Sequence, residues 1–224
     1  MRRLIFPVLM GVLGVAVLVS LGIWQVQRLT WKEGILAEIE ARIVAAPVEL
    51  PSQPDEGRDE YLPVTVTGDL LAEEVHVLTA ADNLGAGYRD IAVMQVSDGT
   101  RLLVDRGFIT LEDKDLDRSE ANVTVVGNLL WPDEVDNWTP EPDLNKNIWF
   151  ARDLPAMAAS LGTEPVLVVA RTQTGSTAAI TPLPIDTAGI PNDHLNYAIT
   201  WFSLALVWAV MSGFLIVRTL RRKD

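Results

Sequence analysis

Cysteine is absent from the 224 residues. That excludes disulfides, thiolate metal sites and thiol catalysis together. Histidine is nearly absent as well, with only His76 and His194 in the chain. A metal would have to be held by these two imidazoles, by carboxylates or by thioethers. The five methionines are too scattered along the chain for a soft copper site. No G-x-S-x-G elbow, H-E-x-x-H, P-loop or G-x-G-x-x-G occurs, so the familiar catalytic signatures are missing. Positive charge is also short: 18 Lys and Arg stand against 30 Asp and Glu, a formal net of −12. Nucleic-acid binding needs a basic surface, and this chain does not offer one.

What is present is apolar length. Leu4 to Ile23 and Leu195 to Val217 are two uncharged runs, of twenty and twenty-three residues. A bilayer core takes about 20 helical residues, so both qualify as membrane spans. Arg2 and Arg3 precede the first run, and Arg218, Arg221, Arg222 and Lys223 follow the second. Between them, residues 25–193 hold 12 Lys and Arg against 29 Asp and Glu, a net of −17. Basic flanks stay on the cytoplasmic side. The expectation is therefore a multi-pass protein of a bacterial inner membrane, with both termini cytoplasmic and the acidic middle periplasmic. The first run is longer than a signal-peptide core and ends in Leu21-Gly22-Ile23-Trp24-Gln25 rather than a small-x-small site, so it reads as a retained anchor.

Spacing predicts the rest. The first helix spans the membrane over residues 1–25 and continues to about Ala45, with Trp24, Arg28 and Trp31 on one face and Pro47 as its stop. Residues 46–190 form a periplasmic domain. Pro63–Leu70 and Glu74–Leu78 alternate as strands, and Asp82–Gly87 is a turn. Tyr88–Val96 and Arg101–Ile109 flank Asp98-Gly99, a strong hairpin signal. Glu112–Glu120 is a charged loop and Val123–Trp131 another strand. Leu154–Leu161 has helical spacing with Gly162 as its stop, and Pro165–Thr172, apolar on both faces, suits a central covered strand. The fold class is α+β: two transmembrane helices flanking a mostly antiparallel β domain with one or two helices. A second membrane helix over 191–217 and a basic cytoplasmic tail over 218–224 complete the chain.

The two histidines differ. In Glu74-Val75-His76-Val77, inward-facing valines would turn His76 to water. His194 sits at the outer end of the second span, where Pro191 suits the first helical position and Asp193 the first turn. On a helix His194, Tyr197, Trp201 and Trp208 fall within about 60° of one another, a stripe descending from the interface. An imidazole beside flat aromatic faces has the makings of an axial haem ligand, and equally of an interfacial side chain packed on the other helix. Arg28 either anchors the interface or pairs with an anion such as a propionate or lipid phosphate. Arg106, in an otherwise apolar strand, calls for a carboxylate partner.

Four segments carry a family resemblance. Gly22-Ile23-Trp24-Gln25-Val26-Gln27-Arg28-Leu29-Thr30-Trp31-Lys32 resembles G-x-W-Q-x-x-R-x-x-W-K. Tyr61-Leu62-Pro63-Val64-Thr65-Val66-Thr67-Gly68 is similar to Y-x-P-V-x-V-x-G, and Leu102–Phe108 to L-V-N/D-R-G-W/F. Asn192–Phe202 resembles N-x-H-x-x-Y-A-x-T-W-F, with Asp193 where Asn is common. In this order, between two apolar runs, they resemble the SURF1/Shy1 family of cytochrome c oxidase assembly proteins. The resemblance implies a non-enzymatic assembly factor for haem-copper oxidases that binds haem a transiently and helps place it in subunit I, with haem a synthase a further partner. His194 matches the residue proposed as iron ligand. With it, Tyr197, Trp201, Trp24 and Arg28 become the candidate haem-binding set. The rival reading is a membrane scaffold that steadies an oxidase intermediate and binds no haem.

Overall fold

The structure is a computed structural model describing residues 2–81, 83–175 and 179–221. Position 82 of the expected turn and Arg222, Lys223 and Asp224 of the basic tail lie outside the described residues. The chain divides into two compact units, one formed by residues 1–38 with 187–224, the other by 39–186.

The first unit is a pair of helices. Helix α1 runs Arg2–Ile43, its last residues belonging to the second unit. Its partner, numbered α4 in chain order, runs His194–Arg221. Both are long and apolar enough to cross a membrane. The second helix begins at His194 rather than at Pro191, and the Asp193 carbonyl accepts the first helical bond, from Tyr197 N at 3.1 Å. The pair is antiparallel: Gly11 faces Ser212, Gly14 faces Trp208 and Gly22 faces Phe202. Small residues let two backbones approach where lipid offers no hydrophobic drive. At Gly22 a Cβ would stand 2.7 Å from the Phe202 ring, so the glycine makes room for the phenyl. Ala198 and Ala205 are the buried residues of α4, and Trp208 Nε1 donates to Met10 O across the seam at 3.3 Å.

The second unit is built around one long strand. After β1 (Val48–Glu49) and the short helix α2 (Glu56–Asp59), β2 runs Pro63–Ala81. It joins the two segments expected as separate strands, across an irregularity between Leu70 and Glu74. Then follow β3 (Gly85–Val96), β4 (Arg101–Thr110), β5 (Glu120–Leu130), β6 (Ile148–Trp149), helix α3 (Leu154–Leu161) and β7 (Leu167–Gln173). A strand this long has two edges to satisfy along its whole length. On one edge β2 pairs first with β1, then with β3; on the other, first with β5, then with β6. The pairings β2–β3–β4–β7–β5 return to β2 and close a five-stranded ring. Closure leaves the ring itself without free strand edges.

The sheet is mixed, which corrects the mostly antiparallel expectation. β4 and β7 are parallel neighbours, and β1 and β6 also run parallel to β2. The reason lies in the chain path. β5, β6 and α3 intervene between β4 and β7, and such a crossover allows a parallel return that hairpins do not.

Every strand of the ring sends alternate residues to an inner cluster that includes Val66, Met94, Val104, Val125 and Val168. The opposite face of β3, β4 and β7 packs Ile91, Leu103 and Val169 under Trp149, Leu154 and Met157. Cover on both faces explains the unbroken apolar run of β7. Helix α3 ends where the sequence foretold, and it is capped at both ends. The Asp153 side chain accepts from Ala156 N, and Gly162 takes the left-handed conformation (φ 63°, ψ 48°) that ends the helix.

Candidate functional site

In the helix pair, the residues drawn from the sequence gather at one end. His194 is the first residue of α4 and is half-buried. Its Nδ1 lies 2.7 Å from Oε1 of Gln25, a buried side chain of α1. Two turns further along α1, the Lys32 ammonium donates to the Pro191 carbonyl, tying down the segment that enters α4. Trp24 and Tyr197 leave about half their surface open, at 51 % and 55 % exposed, while Trp201 is half-buried. The Arg28 guanidinium stacks 4.1 Å above the Trp31 ring.

Helix geometry orients these groups. On α1, Trp24, Arg28 and Trp31 lie roughly 60–120° to one side of Gln25; on α4, Tyr197 and Trp201 lie roughly 20–60° to the same sense from His194. Because the helices run antiparallel, the two sets open on the same side of the seam. The result is a face with an imidazole at its centre, aromatic surfaces on both flanks and a guanidinium at its edge.

Gln25 was not singled out from the sequence. It sits beside Trp24 in the first family-like segment, and an uncharged polar residue at the end of an apolar run was the available signal. Its meaning depends on a contact 169 residues away.

His76 is not at the surface. It is 3 % exposed, on the face of β2 shared with Glu74, and stands opposite Asp90 of β3. By alternation this face continues the one that carries Ala92 and Met94 inside the ring. The expectation failed because β2 is covered on both sides. Val75 and Val77 pack with Trp149 in the outer cluster, while the 111–119 loop reaches over the other face through Arg118. His76 Nε2–H donates to Glu74 Oε1 at 2.9 Å, its ring stands 5.8 Å from that of Tyr88, and Asn147 Nδ2 lies 3.5 Å from Nδ1.

Glu74, His76 and Asp90 bring ligand atoms within 4.8 Å of one another, near enough for a metal. Those groups already serve a buried ion network. Arg118 reaches Glu74 at 3.4 Å, and the 2 %-exposed Arg106 reaches Asp90 at 3.4 Å and donates to Arg118 O at 3.1 Å. The carboxylate partner expected for Arg106 is therefore Asp90. Glu120 adds a third negative charge near Arg106. Three carboxylates then face two guanidiniums, one positive charge short. Asp90 is fully buried with Oδ1 lacking a donor. Burial, reinforced by the charge of Glu74, pushes its carboxyl up to about 7. Burial also acts to raise Glu74, but hydrogen bonds from His76 and Asp90 outweigh it and hold Glu74 below its ordinary value.

The sign for Asp90 is that of an acid protonated more readily in the folded state. Its contribution is full below the ordinary Asp value and is lost as pH rises towards 7. Asp90→Asn, which cannot ionise, is expected to remove that loss. Urea midpoints of wild type and variant at pH 4.5 and 7.5 check it: the variant should gain on the wild type at the higher pH by on the order of 2 kcal/mol.

A cleft of 890 Å³ in the second unit lies elsewhere, between Glu49–Pro54, Thr65–Thr67, Val96–Asp98, Trp131 and Glu164–Val166. No member of the ion network lines it.

These features define a class: a β-ring domain inserted in the chain between two long apolar helices. A family model described as the SURF1 family matches residues 12–206. The chain is 32 % identical over 209 residues to Surfeit locus protein 1 of Xenopus tropicalis, covering 83 % of this chain and 67 % of that protein. It is 32 % identical over 210 residues to Surfeit locus protein 1 of Homo sapiens (83 % and 69 %) and 30 % over 211 to a SURF1-like protein of Drosophila melanogaster (83 % and 69 %). The chain belongs to the SURF1 family.

Proposed function

We propose that the protein is a membrane-embedded assembly factor for a haem-copper terminal oxidase that binds haem a on the helix pair and passes it to subunit I, with haem a synthase as a further partner. Membership of the SURF1 family implies a role in cytochrome c oxidase assembly, and the family is one of assembly factors rather than catalysts. The haem reading is carried by one observation. The half-buried His194 has its Nδ1 engaged by Gln25, so Nε2 is the atom left to ligate, beside the open faces of Trp24 and Tyr197. Metal-bound histidines commonly use their second nitrogen in this way.

The residues fit the group. His194 would supply one ligating nitrogen. Tyr197, Trp201 and Trp24 would give the macrocycle apolar cover, and Arg28, while stacked on Trp31, would offer a guanidinium to a propionate. Bound haem a contributes the iron; this chain contributes a ligand, a platform and a counter-charge. A single imidazole ligand would suit cargo that must leave again.

The basic flanks and acidic centre support placement in a bacterial cytoplasmic membrane, with both termini cytoplasmic and the ring domain periplasmic. Purification from cells that make haem a, followed by visible spectroscopy, tests the site. His194→Ala should lose most of the bound haem. Full occupancy with an unchanged spectrum would remove His194 as ligand, and copurification of wild type with subunit I but without haem would favour the scaffold role.

A further inference from the structure

We propose that Gln25 is the positioning residue of the His194 site and sets the ligand strength of that imidazole. Its side-chain carbonyl holds His194 in the Nδ1–H form and presents Nε2. Being neutral, it also keeps the ligand weak enough for its cargo to be released. The second half of this proposal rests on the haem reading above; the first does not.

The geometry is direct. Gln25 Oε1 stands 2.7 Å from His194 Nδ1, a short contact between two sparsely exposed groups. An amide oxygen only accepts, so the nitrogen facing it must carry the hydrogen. A neutral imidazole has one N–H, and Nε2 is then an open lone pair. The reversed amide would present N–H to Nδ1, force the hydrogen onto Nε2 and close the site to a metal. One side-chain orientation thus separates a ligating histidine from an inert one.

The anchor is well held. Gln25 lies on the α1 face that meets α4, in line with Gly14 and Gly22 at the seam. The Lys32 bond to Pro191 O fixes the chain just before His194. The imidazole is therefore oriented from α1 as well as by its own helix.

The choice of acceptor matters. A carboxylate at this position would pull on the Nδ1 proton and make Nε2 a stronger donor to metal; an amide does so much less. A resident cofactor benefits from the strong form, whereas a carrier that must surrender its cargo benefits from the weak one. Gln25 is the weak form.

The test uses the full-length protein in detergent, labelled with 15N-histidine. Only two histidines are present, so His76→Gln leaves a single signal to assign. Long-range proton–nitrogen spectra of the haem-free protein should show His194 protonated at Nδ1 and bare at Nε2. Gln25→Leu should yield a mixture of both forms. Titration with haem a should then give about 10–100-fold weaker binding for Gln25→Leu, as loss of an outer-shell partner typically does. Gln25→Glu should restore or exceed wild-type affinity, lower the midpoint potential of the bound iron and slow transfer to an acceptor apoprotein. An Nε2–H signal in the wild type, or a Gln25→Leu protein with unchanged affinity and potential, would overturn the proposal. A His194→Ala protein that keeps its haem would overturn the haem reading and the ligand-strength half with it. The tautomer measured without haem stands or falls by itself.

Discussion

Gly107→Val is expected to leave the ring domain unfolded. Gly107 has φ +119°, a conformation that L side chains rarely adopt, and a Cβ there would drive into the Thr181 carbonyl and stand 2.7 Å from Pro182 Cα. Neither obstacle is the soft tip of a side chain. Both belong to the backbone that bridges to Phe108, where Phe108 N donates to Thr181 O at 2.7 Å and Thr181 N returns the bond at 2.8 Å. Positive φ costs a β-branched residue roughly 1–3 kcal/mol. The backbone clash adds to that, for a total above about 4 kcal/mol, a large fraction of a domain's stability. Limited proteolysis should show no resistant core in the variant, and a wild-type-like digestion pattern would refute the account.

Arg106→Met is expected to cost about 3–5 kcal/mol, because it removes the guanidinium while Asp90 stays buried. Loss of the bond to the Arg118 carbonyl should also loosen the 111–119 loop. Adding Asp90→Asn should restore part of the stability, since the uncompensated carboxyl goes with it. A denaturation cycle over the four proteins measures the coupling. Additive effects within about 0.5 kcal/mol would show that the two side chains do not act as a pair.

These two predictions explain why Leu102–Phe108 works as a signature. It looks at first like a chemical motif, with an acid, a base and a glycine in a row. Asp105 binds Arg89 at 2.7 Å and Arg152 at 3.3 Å, Arg106 binds Asp90, and Gly107 provides a bend; register shifts by one residue between Asp90 and Ile91. An extra residue in one strand lets adjacent side chains enter two buried environments. The motif is an architectural joint.

Much of the fold was legible. The Asp98-Gly99 hairpin, the Gly162 stop of α3 and the covered strand β7 all follow from local spacing, because local geometry dictates them. What was not legible depends on partners far along the chain. Alternation told that Val75 and Val77 share a face, but not that Arg118 would cover the other, so His76 was turned the wrong way. Strand periodicity cannot order strands, so the parallel β4–β7 pairing was hidden. The fusion of two strands into β2 was hidden too, since the irregularity after Leu70 breaks the alternation that would have joined them. At the helix pair, His194 and its aromatic neighbours were visible as a stripe on one helix. Gln25 was not, for nothing in its own segment points to residue 194.

The spacing of that last pair has a temporal consequence. A ribosome releases Gln25 169 residues before His194, and the ring cannot close until β7 has emerged to join β4 and β5. The Gln25–His194 contact therefore forms only after every strand of the ring has been made. A product stalled before α4 would present the Trp24–Arg28–Trp31 face of α1 without the imidazole that meets Gln25.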